Sequence, residues 1–301
     1  LSLMNSKPII AITMGDPAGI GPEVIAKAVA AARVQRLCRP LVIGSLPVMQ
    51  QTVKSLKLKI NVIRAEGHAV IPSRSNHLAV LDPLDHPLGR FPRGVAARET
   101  GAASVLFIKK AVELAQLSCI DGIVTAPINK EAINMAGCHF PGHTELLADL
   151  TGAQESGMMI IGGPLRIMFV TTHVAIKDLP ALLTQAKIEK AIRLAHLALK
   201  DLFGIKKPRV GVAALNPHAG EHGLFGDEEA RVILPAARAA QAQGIRASDP
   251  LPTDTLFGKA ARGEYDGVVA LYHDQGLIPL KLVAFGTCVN LTAGLPIIRT
   301  S

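Results

Sequence analysis

The sequence predicts an α/β protein with a largely parallel sheet covered by helices, and three observations carry that prediction. Short apolar runs that read as strands alternate with longer segments whose apolar residues recur at helical spacing. Gly- and Pro-rich turns separate the two kinds of segment. The chain of 301 residues is long enough for two lobes of roughly 150 residues each. With 49% hydrophobic and 19% charged residues, it has the composition of a globular protein with a large core.

Taken in order, Ile9 to Thr13 is a strand that ends in a Gly/Pro-rich turn, and Glu23 to Ala32 is a helix rich in Ala, Ile and Val. Leu41-Val42-Ile43-Gly44 and Val48 to Leu56 repeat the strand and the helix. Asp82 to Gly94, dense in Pro, Gly and His, reads as a long exposed loop, followed by a helix from Arg98 to Leu117 and a buried strand, Gly122-Ile123-Val124-Thr125-Ala126. Further strands are expected at Arg166 to Val170, Arg209 to Ala214 and Asp266 to Leu271, separated by helices at Gln185 to Leu202 and Glu228 to Gln243. Internal repeats and low-complexity linkers are absent from the sequence.

Several function classes are disfavoured at this point. Apolar runs such as Met158-Met159-Ile160-Ile161 are broken well short of the roughly 18 residues a membrane span needs. Leu1-Ser2-Leu3 before Met4 lacks the pattern of a secretory signal, so Met4 is the expected natural start, preceded by three foreign residues. Cys38, Cys119, Cys138 and Cys288 are far apart, which suits free thiols in a reducing cytoplasm. The formal net charge of +8 favours either an anionic small molecule or simply a solvated basic surface. Nucleic acid is not expected as a partner, because the basic residues are scattered and the chain has no Trp and two Tyr for stacking bases.

The chemistry gathers at expected strand ends, where open α/β sheets collect ligands. In Met14-Gly15-Asp16-Pro17-Ala18-Gly19-Ile20-Gly21-Pro22-Glu23 the glycines permit close backbone approach, either to an anion or to another segment. Thr125 to Glu131 is either a cofactor-contacting strand end or a helix start, and Phe140-Pro141-Gly142-His143-Thr144-Glu145 places an imidazole, a hydroxyl and a carboxylate at another helix start. Thr171-Thr172-His173, Asn216-Pro217-His218-Ala219-Gly220 and Tyr272-His273-Asp274-Gln275-Gly276 each put a histidine just past an apolar strand. Three such imidazoles can converge on one divalent cation and leave positions open for substrate; each alone can equally be a hydrogen-bonded loop residue. Lys281, Asn290 and Arg299 are donors suited to phosphate and carboxylate, and Asp254 is either a helix cap or a ligand-contacting carboxylate.

In this order, from Pro8 to Ser301, these segments closely resemble the 4-hydroxythreonine-4-phosphate dehydrogenase family. The resemblance implies the two-lobed isocitrate/isopropylmalate dehydrogenase-like fold, with the active site in an interlobe cleft completed by the partner of a homodimer. The approximate lobes are 1–128 with 275–301, and 129–274, the latter with the metal ligands and dimer interface. Carried over by residue, His173, His218 and His273 match the metal ligands, with zinc foremost and magnesium or cobalt as alternatives. His143, Thr144, Lys281, Asn290 and Arg299 match substrate-binding positions, and Asp254 matches an acidic position near the site. In that family the three histidines are contributed across the dimer interface.

The implied reaction is NAD-linked oxidation of 4-hydroxythreonine 4-phosphate to a 3-oxo acid, followed by loss of carbon dioxide to give 3-amino-2-oxopropyl phosphate, in pyridoxal phosphate biosynthesis. His143, Lys281, Asp254 or a metal-held water is the candidate base. One departure concerns the end of the sequence: family members continue past the position of Ser301 into a His-Gly-containing loop and a final helix that contribute to cofactor binding. The expectation is either an unseen tail or a shorter chain with altered NAD affinity. Alternatives are a paralogue acting on threonate or erythronate 4-phosphate or on a cis-dihydrodiol, a metal-dependent hydrolase or lyase without NAD, and a non-catalytic binding protein.

Overall fold

The computed structural model describes residues 7–66 and 76–301, so Leu1-Ser2-Leu3 and Met4 lie outside the described residues. The chain divides into two compact units, Leu1–Ala153 with Leu295–Ser301, and Gln154–Gly294. In chain order the first contains β1 (Ile9–Thr13), α1 (Gly21–Ala30), α2 (Ala32–Leu37), β2 (Arg39–Ile43), α3 (Leu46–Ser55), β3 (Asn61–Arg64), β4 (His77–Leu81), α4 (Arg98–Gln116), β5 (Gly122–Thr125), α5 (Lys130–Met135) and α6 (His143–Thr151). The second contains β6 (Gly157–Gly162), β7 (Leu165–Phe169), α7 (Leu179–Leu182), α8 (Gln185–Asp201), β8 (Arg209–Ala213), α9 (Leu234–Ala242), β9 (Arg246–Leu251), α10 (Thr253–Ala261), β10 (Gly267–Ala270), α11 (His273–Ala284) and β11 (Val289–Ala293). The last strand, β12 (Arg299–Thr300), returns to the first unit.

In the first unit the strands lie in the order β3-β4-β2-β1-β5-β12, every neighbouring pair parallel. Leu41, Val42 and Ile43 are fully buried, as expected of a continuous apolar strand covered on both faces. Along α4, Ala103, Phe107, Ile108, Ala111 and Leu114 recur at three- and four-residue spacing and form its buried face. Close approach of α4 to α5 depends on Gly101, where a β-carbon would collide with the carbonyl of Ala132.

In the second unit the order is β11-β6-β7-β10-β8-β9. β7, β10, β8 and β9 are parallel, while β6 pairs antiparallel with both β7 and β11. Alternate residues of the central strands feed opposite cores. Ile167, Phe169, Val268 and Ala270 pack with α10 and α11, whereas Met168 and Val269 pack with α8 and α9. The Thr184 hydroxyl caps α8 by accepting from the Lys187 N–H at 3.3 Å. The helix expected at Glu228 to Gln243 starts as a wider-pitched turn over Glu229–Ile233 and continues as α9.

The division of the chain falls later than the approximate sequence boundaries at 128/129 and 274/275. The reason is packing: α5 and α6 lie against α4, and α11 and β11 lie against β6 and β7. All four cysteines are free thiols. No helix among the described residues is long and apolar enough to cross a membrane.

Candidate active site

The first unit contributes a buried cationic group. Arg299 on β12 is only 2% exposed, and parallel pairing of β12 with β5 brings it beside the end of that strand. Its Nε and Nη2 both donate to the Thr125 hydroxyl, at 3.2 and 2.6 Å. Burial brings the guanidinium down to about 10, partly offset by the Glu145 carboxylate, so it stays charged at neutral pH. His143 opens α6 after an extended Gly142, and its Nε2 is buried without a hydrogen-bond partner. Burial, and secondarily the Arg299 charge, push this imidazole down to about 4, so it is neutral at pH 7. Thr144 follows in the first turn of α6, where backbone N–H groups lack partners within the helix. A neutral imidazole, a buried guanidinium and a helix start together suit an anionic oxygen.

The glycine-rich turn after β1 is explained by packing. A β-carbon on Gly15, which has φ of +68°, would collide with the carbonyl of Pro127, and one on Gly21 with that of Met14. The Asp16 N–H donates to Pro127 O at 3.0 Å, and the Ser104 hydroxyl donates to Gly15 O at 3.0 Å. The glycines therefore let the turn lie against the end of β5. Asn129 in the next cluster caps α5, accepting from the Ala132 N–H at 3.1 Å.

In the second unit β7, β10 and β8 are adjacent and parallel, so the segments carrying His173, His273 and His218 leave one edge of the sheet. His173 and His273 meet, with ring centroids 5.6 Å apart and planes tilted by 43°. Both line a pocket with Thr172, Tyr272 and Asp274. The Nδ1 of His273 is hydrogen-bonded to the Asp274 carboxylate at 2.7 Å, which orients the ring and leaves Nε2 as the nitrogen available to a ligand.

His218 stands apart from that pair. Its side chain is 67% exposed, with Nδ1 3.7 Å from the Glu221 carboxylate and the ring edge-on to Phe225. Residues His218 to His222 run through left-handed backbone angles, a conformation unfavourable to residues other than glycine. The buried Glu229 holds the entrance to this turn, with Oε1 accepting from the N–H groups of Leu215 and Asn216 at 2.7 Å each. Its Oε2 accepts from the Asn216 side chain at 2.9 Å. Among the described residues no group of three or more His, Cys, Asp and Glu is poised to hold a metal. The single chain thus supplies a two-imidazole set that fits a divalent cation, and a third imidazole on a braced turn.

The other expected residues occupy separate elements. Lys281 is exposed on α11, and Asn290 lies on β11 opposite Ile160, its side-chain oxygen buried without a partner. Asp254 is exposed in the first turn of α10 and does not cap it, which removes capping as its explanation. Thr125, Thr171 and Gln275 fall inside motifs that the sequence singles out but receive no individual role there, and Glu229 is passed over, since one buried polar residue in an apolar stretch has no periodic signature.

A family model for the pyridoxal phosphate biosynthetic protein PdxA matches residues 36–301. The chain belongs to the PdxA family. Over 299 residues it is 48% identical to a 4-hydroxythreonine-4-phosphate dehydrogenase of Desulfosudis oleivorans, covering 99% of this chain and 88% of that protein. A D-threonate 4-phosphate dehydrogenase of Cupriavidus necator is 45% identical over 302 residues, covering 98% of this chain and 88% of that one. The crystal structure of a Klebsiella pneumoniae 4-hydroxythreonine-4-phosphate dehydrogenase matches with a TM-score of 0.92 at 39% identity, over 98% of this chain and 90% of that chain. This PdxA-family chain is accordingly a dehydrogenase with the PdxA fold.

Proposed function

We propose that this protein catalyses the NAD-linked, metal-dependent oxidation of 4-hydroxythreonine 4-phosphate to a 3-oxo acid, which then decarboxylates to 3-amino-2-oxopropyl phosphate. The observation that carries this reading is the meeting of His173 and His273 within a dehydrogenase family. These imidazoles would hold the cation together with His218, and a second copy of the chain completes the ligand set. When bound, the metal acts as a Lewis acid on the oxygen of the reacting carbon, favouring loss of hydride to the nicotinamide and then loss of carbon dioxide. Zinc suits imidazole ligands best, with cobalt and magnesium as alternatives.

Arg299, His143 and Thr144 would hold the phosphate and its neighbouring oxygens, assisted by Lys281 and Asn290. Arg299 supplies fixed charge, and its bonds to Thr125 set the plane of the guanidinium. Neutral His143 has its Nε2 free to give or accept one hydrogen bond, and its low pKa keeps the ring unprotonated at pH 7, where it is a weak base. Lys281 and Asp254, both exposed, are the alternative groups to move a proton.

The apolar side chains of α11 and the following turn support a homodimer: Leu282 and Phe285 are 84% and 82% exposed, and Ile278 and Val283 are exposed beside them in sequence. We place the protein in the cytoplasm, where its free thiols remain reduced. A second reading, oxidation of D-threonate 4-phosphate, is favoured by the name of the Cupriavidus necator relative. That compound carries a hydroxyl where the first has an amino group, and both carry the phosphate.

The test is NADH formation by the full chain with each compound, before and after chelation and after metal is restored. Turnover with 4-hydroxythreonine 4-phosphate that vanishes on chelation and returns with zinc or cobalt supports the reading. A strong preference for D-threonate 4-phosphate moves the assignment to the second, and turnover that survives complete chelation overturns the metal role.

A further inference from the structure

We infer that Gln275 is the positioning residue of the metal centre, a single buried amide that ties the backbone segments carrying His273 and His218 to each other, the former being bonded in turn to the segment that carries His173. This inference rests on the proposed metal role of those histidines and adds a residue to it. Gln275 lies in the first turn of α11, two residues after His273, and is 6% exposed. Its side-chain oxygen accepts from the Leu271 N–H at 2.7 Å, closing the turn between β10 and His273. Its Nε2 donates to the carbonyl of Ala214 at 2.7 Å, on the segment that leads from β8 to His218, and lies 3.2 Å from the Thr253 hydroxyl.

That hydroxyl donates to the same Ala214 carbonyl at 3.0 Å, so the start of α10 joins the knot next to Asp254. The third segment is attached through Leu271, whose carbonyl accepts from the Thr171 hydroxyl at 2.7 Å and from the Thr171 N–H at 3.2 Å. Thr171 precedes His173 by two residues and is also buried.

These bonds have a chemical consequence. Parallel strands fix where their ends lie but not the direction in which each following loop turns, since backbone groups past the last ladder bond have no partner in the sheet. At the ends of β8 and β10 the Ala214 carbonyl and the Leu271 N–H are such groups, and one amide satisfies both. The side chain that does so must carry both a donor and an acceptor, and the Gln amide spreads them over one planar head long enough to reach both. A carboxylate in its place would face the Ala214 carbonyl without a proton, and an apolar residue would leave the Leu271 N–H buried and unpaired and the Ala214 carbonyl held by the Thr253 hydroxyl without the amide. The two loops would then lose their common reference, and the imidazoles they carry would lose theirs. Groups that orient metal ligands from behind typically change metal affinity by roughly 10- to 100-fold when removed.

The test uses Co²⁺ as the probe, titrated into the metal-free full-length protein by calorimetry and followed by its visible absorption, which reports ligand number and geometry. Three variants are compared with the wild type: Gln275→Leu, the milder Thr253→Val, and Leu199→Ala, a core substitution on α8 beside Gly267, at the opposite end of β10 from Leu271, that serves as a match for lost stability. The expected result is that Gln275→Leu weakens Co²⁺ binding by roughly 10- to 100-fold and alters the visible band. Thr253→Val should lie between it and the wild type, while Leu199→Ala lowers Tm but binds as the wild type does. Should Gln275→Leu fail to fold, Thr253→Val against Leu199→Ala decides the question in the same way. Unchanged affinity and spectrum in the knot variants overturn the inference and leave the metal site standing. A wild type that binds no Co²⁺ overturns both.

Discussion

His143 and Arg299 show how burial sets the electrostatics of a site before any ligand arrives. The imidazole sits near 4 rather than 6.5 because water is excluded from it and a guanidinium faces it. Between those two values the unfolded chain binds the proton more readily than the folded one, so His143 removes stability as pH falls through 6.5, and the loss is complete below about 4. The size is on the order of 3 kcal/mol. Urea unfolding across this range should therefore show a shallower acid loss in His143→Gln than in the wild type; equal slopes would mean that the ring is solvated in solution. Arg299→Lys keeps the charge but loses the planar fork that Thr125 accepts from. On the phosphorylated substrate kcat/KM should fall roughly 10- to 100-fold, mostly through KM, as expected for one charge-assisted contact. An unchanged KM would remove Arg299 from the phosphate.

At the scale of elements, the turn that carries His218 is the most demanding piece of backbone among the described residues. Four non-glycine residues, His218, Ala219, Glu221 and His222, adopt positive φ there. Such angles cost roughly 1 to 2 kcal/mol each in isolation, so something must compensate. Glu229 does so by taking three hydrogen bonds on a buried carboxylate. Replacing it by Ala leaves the backbone N–H groups of Leu215 and Asn216 unsatisfied, the Asn216 side chain keeping Glu228, and should lower unfolding stability by roughly 2 to 4 kcal/mol, measured by denaturant titration, while Glu229→Gln should retain part of the difference. A loss below 0.5 kcal/mol, the range typical of ordinary surface changes, would show that the turn holds itself. Sequence reading places the strand before this turn and the histidine within it, but the handedness of the turn is invisible to it, because Asn-Pro-His-Ala-Gly is compatible with several turn types.

Across the whole molecule, the exposed apolar residues of α11 and the turn after it predict an assembly. Leu282→Glu introduces a charge where the proposed dimer would bury Leu282, so sedimentation velocity should show a shift from dimer to monomer and NADH formation should be lost with it. A wild type that sediments as a monomer, or a fully active monomeric variant, would refute the shared-site reading. The strand–helix alternation, the parallel sheet and the positions of β1, β2, β5, β7, β8 and β10 were all legible in the sequence, because those strands are short, apolar and bounded by turn residues. β9 was not, since its Asp249 and Pro250 disguise an edge strand, and neither was α11, which carries Pro279 inside it.

The sequence by itself determined the fold class and the family, because periodicity and ordered motifs are properties of a linear string. It also named the histidines proposed as metal ligands and the residues proposed to hold phosphate, through residue type together with the family resemblance. Only the tertiary structure decided that His173 and His273 meet while His218 stands on a separate braced turn, and that Thr125, Glu229 and Gln275 hold the site residues in place. Contacts between residues tens of positions apart depend on which strands become neighbours, and the pairing of β7 with β10 and of β10 with β8 is set by how the whole core packs, not by any local segment.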